Sequence, residues 1–141
     1  MMPLVMVHGF MGGSRQWVEQ TKALASCLDV VTVDLPGFGL NAHMRAPDTI
    51  AAFATWVLDH LRAQGVERFH LLGHSMGGMI AQEMVTLSPD RVERLVLYGT
   101  GATGVLPGRF EPIHLSNSRA PPDGPRQPAR PIAATWFLDR E

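Results

Sequence analysis

Four short apolar runs recur over the first hundred residues, at positions 4–7, 30–33, 69–72 and 95–98. Each is followed or preceded by a longer segment in which apolar residues return at helical spacing. Runs this short, with little polar alternation, predict strands buried on both faces of a parallel sheet. Helices are predicted over about 14–26, 48–64 and 79–87. In the second, Ile50, Phe53, Val57 and Leu61 fall on one face. Asp48 is placed to cap its start and Gly65 to end it. Strand and helix alternate throughout. That order predicts an α/β architecture, a three-layer sandwich in which helices cover both faces of a mostly parallel sheet.

The pattern breaks near residue 104. Seven of the eleven prolines lie from Pro107 onward, five of them between Ala120 and Pro131. Proline fixes φ and removes a backbone donor, so this stretch cannot sustain a helix. The expected organisation is therefore a core over 1–104 and a separate proline-rich region over 105–141, with 132–138 as a further helical start or a loosely ordered tail.

Composition narrows the class. A chain of 141 residues with 45% hydrophobic content makes one globular domain at most. A net charge of −1 gives no general attraction to nucleic acid or to anionic membranes. No apolar stretch is long enough to span a membrane, and Met1-Met2-Pro3 does not open a signal peptide. One cysteine, Cys27, excludes an internal disulfide and fits a reducing, cytoplasmic compartment; its position late in a helical run predicts packing rather than chemistry. The six histidines show no metal-ligand spacing. Oligomeric state is not legible.

The candidate chemistry lies at Gly73-His74-Ser75-Met76-Gly77-Gly78, between the third strand and the third helix. This is the G-x-S-x-G pattern of a serine on a sharp strand-to-helix turn. A serine hydroxyl is a weak nucleophile that must be presented to a base and to a carbonyl together. A tight turn does this at the cost of a strained positive φ. Gly73 and Gly77 are small where strand and helix pass closely, and Gly78 is expected to let the helix pack on the sheet. The turn also opens a helix, so the free N–H of Met76 points toward a developing negative charge. Taken alone, such a pattern also occurs in ordinary turns.

A second signature lies upstream. The first strand runs into His8-Gly9-Phe10-Met11-Gly12-Gly13, and the second into Asp34-Leu35-Pro36-Gly37-Phe38-Gly39. Together with the serine turn, these segments resemble the α/β-hydrolase superfamily over roughly residues 3–101. The resemblance implies that the Phe10 and Met76 amides form an oxyanion hole. It implies that His8 and Gly9 support the loop, His8 without proton transfer, and that Asp34 is a turn residue. It places the first strand between the second and third, with Ser75 and His8 at the carboxyl ends that flank a topological switch point.

The same resemblance implies a serine hydrolase of small carboxylic esters or lactones working through an acyl-enzyme, with no cofactor or metal. Ser75 disfavours the dehalogenase and epoxide-hydrolase branches, which carry aspartate there. Carbon–carbon bond hydrolases, lyases and a non-catalytic protein that keeps the fold stay open. The partner implied is a small acyl substrate. The resemblance also leads us to expect that the triad acid and histidine are missing from this chain, which would make it an N-terminal fragment ending within a cap region. His74 is expected to point away from the hydroxyl; His43, His60 and His70 have no route to it. His114, Asp123, Asp139, Trp136 and Phe137 fall in the cap region.

Overall fold

The computed structural model describes residues 1–102. Within them, strands β1 (Leu4–Val7), β2 (Val30–Thr32), β3 (Phe69–His74) and β4 (Val92–Tyr98) form one sheet. Every neighbouring pair is parallel, in the order β2-β1-β3-β4. The chain leaves β1 for β2, crosses back over β1 to β3, and continues outward to β4. This reversal opens the crevice at the carboxyl ends of β1 and β3 where ligands of such sheets bind.

Alternation along β1 sorts its side chains between two cores, because successive residues of a strand face opposite ways. Val5 and Val7 join Phe69 and Leu71 beneath helices α2 (Ile50–Ala63) and α3 (Met76–Leu87). Leu4 and Met6 face the other way, onto Trp17, Leu24 and Leu28. Helix α1 (Val18–Leu24) lies on that second side. Helices thus cover both faces, as the alternation predicted.

The helix expected over 14–26 is shorter, and it starts as a 3-10 turn at Ser14–Trp17. No side chain caps it after the Gly12-Gly13 pair, and its end closes where the Cys27 and Leu28 amides both bond to the Leu24 carbonyl. Cys27 is exposed, contrary to the packing role expected of it, with Sγ 3.3 Å from the Leu24 oxygen. In α2 the cap is Thr49, not Asp48: its hydroxyl accepts the Ala52 amide at 3.1 Å, while Asp48 turns out toward Arg45. The far end is as expected. Gly65 takes a φ of +77°, which lets its own amide reach the Arg62 carbonyl and the Val66 amide reach that of Leu61.

Strand β4 starts three residues earlier than its apolar run, because parallel pairing with β3 begins at Val92 and carries Glu93 and Arg94 along. Its Leu95, Val96, Leu97 and Tyr98 side chains are exposed, unlike those of β1, and among the described residues it pairs only with β3. At the opposite end of these strands, Arg91 is buried. Its guanidinium donates to the carbonyls of Glu67 (2.8 Å), Leu58 (3.0 Å) and Val66 (2.8 Å) and lies over the Phe69 ring. One side chain thereby joins α2, the α2–β3 connection and the approach to β4.

Candidate active site

Ser75 stands between β3 and α3 with φ 55° and ψ −121°, a conformation an L-residue adopts only under constraint. The constraint is close packing. A β-carbon on Gly77 would overlap the carbonyl oxygens of Val7 and His8, and one on Gly73 would overlap the Gly77 carbonyl. The turn is therefore pressed onto the carboxyl end of β1. Gly77→Ala is expected to destabilise the protein by roughly 2–3 kcal/mol, since backbone rather than a flexible side chain must yield. Urea unfolding checks this, and a loss below about 0.5 kcal/mol would show that β1 and α3 separate easily.

Ser75 occupies the N-cap position of α3, where serine ordinarily spends its hydroxyl on the helix's free amides. Here the side chain makes no capping bond. Its backbone is held instead. The Ser75 amide donates to the Tyr98 carbonyl at 3.1 Å, and the Ser75 carbonyl accepts from the Gly78 amide at 2.9 Å. The Phe10 and Met76 amides find no acceptor among the described residues. The twelve-residue helix behind Met76 adds the positive end of its dipole.

The loop after β1 comes up against this serine. A β-carbon on Gly9 would lie 2.9 Å from Ser75 Cβ and 3.5 Å from its Oγ, so Phe10 follows immediately on the point of closest approach. His8 anchors the loop and is fully buried. The Leu35 amide donates to its Nε2 at 3.0 Å, which leaves the proton on Nδ1 to be donated to the Gly9 carbonyl at 2.8 Å. Burial pushes the His8 pKa down, which favours this neutral form. Both nitrogens are occupied, so His8 supports the loop and is no base for Ser75. Asp34 likewise serves structure. Burial alone would raise its carboxyl, but hydrogen bonds from the Ser14 amide and hydroxyl and from the Leu40 amide hold it below the usual carboxylate range.

His74 turns away from the hydroxyl, as expected. Its Nδ1 lies 3.1 Å from Gln16 Nε2, its ring sits between Trp17 and Tyr98, and partial burial pushes its pKa down. His60 stacks on Trp56 on the α2 surface, and His70 is half-buried in β3. Among the described residues no imidazole or carboxylate hydrogen-bonds Ser75 Oγ, and no group of three or more potential ligands could hold a metal. No helix among them is long and apolar enough to cross a membrane. His114, Asp123, Asp139, Trp136, Phe137 and the rest of the region expected as a cap lie outside the described residues.

Two features of the site escaped the sequence. Gly78 was expected to make room for the sheet, whereas a β-carbon there would overlap the side chain of Thr100. Thr100 Oγ1 donates to the Ser75 carbonyl at 2.5 Å. Gln82 Nε2 adds bonds to the Gly78 and Gly101 carbonyls at 3.1 and 3.0 Å. The available signal was positional: Thr100 follows a glycine at the carboxyl end of a parallel strand, the edge that faces ligands.

The chain belongs to the α/β-hydrolase fold family, whose model matches residues 2–136. It is 37% identical over 105 residues to the dihydrolipoyllysine-residue acetyltransferase component of the acetoin cleaving system of Pseudomonas putida, covering 72% of this chain and 28% of that protein. It is 35% identical over 130 residues to the human (lyso)-N-acylphosphatidylethanolamine lipase, covering 85% and 35%. Among solved structures, Est816, described as an N-acyl homoserine lactone degrading enzyme, superposes with a TM-score of 0.68 at 27% identity, covering 84% of this chain and 46% of that one. The chain thus spans about a third of the length of these curated relatives.

Proposed function

We propose that this chain carries the nucleophile and oxyanion hole of a serine hydrolase acting on carboxylic esters, lactones or related small acyl compounds. The observation that carries the reading is Ser75: a serine at a helix N-terminus, in a strained conformation, whose hydroxyl does not cap its helix. Strain of roughly 1–3 kcal/mol with no capping return is what a presented nucleophile requires.

In the proposed reaction Ser75 Oγ adds to the acyl carbonyl carbon, and its proton passes to a base. The carbonyl oxygen becomes an oxyanion held by the Phe10 and Met76 amides, each worth roughly 3–4 kcal/mol in such sites. Collapse expels the alcohol and leaves an acyl-serine, which water then cleaves to the acid. The base and its carboxylate partner are proposed to come from outside the described residues. Exposed Phe10, Met11 and Leu40 on the loops at this end of the sheet support a substrate with an apolar acyl part. The acetyltransferase, lipase and lactone-degrading functions of the three relatives support acyl chemistry in general. The lone cysteine supports a reducing, cytoplasmic setting.

A second reading is a protein that keeps the fold without the chemistry. It draws on the lack of an imidazole beside Ser75 among the described residues. A fluorophosphonate probe separates the two. Full-length protein should be labelled at Ser75, with labelling lost in Ser75→Ala. Absent labelling, or labelling that persists in the variant, would overturn the serine-hydrolase reading.

A further inference from the structure

We propose that Thr100 is a positioning residue that aims the Met76 amide into the oxyanion hole; this rests on the serine-hydrolase reading above. The Ser75 carbonyl and the Met76 N–H are opposite ends of one planar peptide. Whatever fixes the direction of the carbonyl oxygen therefore fixes the direction of the amide hydrogen. Three donors converge on that oxygen. The Gly78 and Met79 amides, at 2.9 and 3.4 Å, come from the helix that the peptide itself opens. Among the described residues, Thr100 Oγ1, at 2.5 Å, is the one donor from a separate element, the segment following β4.

The geometry around Thr100 is built for this contact. Gly78 has no β-carbon, and any side chain there would displace the threonine. Gln82 bonds the Gly78 and Gly101 carbonyls together, which holds the residue after Thr100 against the first turn of α3. The Ser75 amide bonds the Tyr98 carbonyl, so the same short segment grips both ends of the nucleophile's backbone. The hydroxyl has an electronic effect as well. A hydrogen bond accepted at a peptide oxygen polarises the unit and strengthens donation from the N–H at its other end. Thr100 both orients the Met76 amide and makes it a better donor to the oxyanion.

Steady-state ester hydrolysis by full-length wild type, Thr100→Ser, Thr100→Ala and Thr100→Val tests the proposal, with unfolding midpoints measured alongside. Removing an oxyanion donor outright costs roughly 10²–10³ in kcat, so a mis-aimed one is expected to cost about 10-fold. The alanine and valine variants should lose about that factor in kcat with KM changed less than about twofold, and serine should rescue most of the loss. Binding of a boronic acid that mimics the tetrahedral adduct should weaken in parallel with kcat. A merely structural role would lower the midpoint and leave the kcat-to-KM split and the inhibitor ratio alone. If valine fails to fold, the serine–alanine pair decides. Equal kcat for those two variants, in a protein whose wild type hydrolyses the ester, overturns the proposal. A Ser75→Ala variant that hydrolyses as fast as wild type instead overturns the serine-hydrolase reading, so the two failures are distinct.

Discussion

Ser75→Gly is expected to raise the stability of the protein while abolishing turnover. At φ 55° and ψ −121° the serine side chain and backbone are held in a conformation that glycine adopts without steric penalty. Relief of the strain is worth roughly 1–3 kcal/mol. Glycine gives back roughly 0.5–1 kcal/mol through the greater freedom of the unfolded chain. The net expectation is a gain of about 1 kcal/mol, or an unfolding midpoint about 4 °C higher for a domain of this size. Little packing is lost, because the Ser75 hydroxyl makes no capping bond and the backbone bonds to Tyr98, Gly78 and Thr100 survive the change. Hydrolysis should fall by about 10⁶, the scale on which a serine hydrolase depends on its nucleophile. Calorimetry and ester hydrolysis on the same preparations check both halves. A variant less stable than wild type would mean that the turn stores no strain. Opposite movement of stability and activity is what a site held against its local preference produces.

Arg91→Ala is expected to have the largest effect on stability, a loss of about 3–5 kcal/mol. Hydrogen bonds to charged groups contribute roughly 1.5–3 kcal/mol each, and three converge on this guanidinium. The cost of truncation exceeds the lost attraction, because the Glu67 and Val66 carbonyls are left without this donor and the space over Phe69 empties. Burial, reinforced by repulsion from Arg62, pulls the Arg91 pKa down from its ordinary value, so the carbonyls are needed to hold the buried charge. Arg91→Lys offers one donor head in place of a planar fork and should recover only part of the loss. Chemical denaturation measures it. A loss below about 1 kcal/mol for alanine would mean that water replaces the guanidinium at those carbonyls. Small domains commonly hold only about 5–15 kcal/mol in total, so the alanine variant should accumulate poorly in cells.

Much of the site was legible in the chain because it is local. Gly73, Ser75 and Gly77 belong to one turn, and the demand for small flanking residues is a property of that turn. The α2 terminator at Gly65 is local in the same sense, since a left-handed residue after a helix needs no knowledge of the rest of the fold. Strand existence followed from apolar runs, but the burial on both faces expected of them holds only for β1; β4 carries the same kind of run with its side chains exposed, because among the described residues it pairs only with β3. Strand ends did not follow from those runs. β4 begins at Val92 because β3 offers bonds there, and neither Glu93 nor Arg94 announces it.

The sequence by itself determined the serine turn proposed here to carry the nucleophile, the order of strands and helices, and the two loops that would have to meet. The tertiary structure alone decided what holds them together. Gly9 touches Ser75 from 66 positions away, His8 takes the Leu35 amide, and Thr100 takes the Ser75 carbonyl. Arg91, which nothing in its sequence neighbours marks out, becomes the buried clasp of three segments. The physical reason is common to all of these. A turn's steric needs are written in adjacent residues, whereas a hydrogen bond between distant segments depends on a direction and a distance that only packing of the whole sheet supplies.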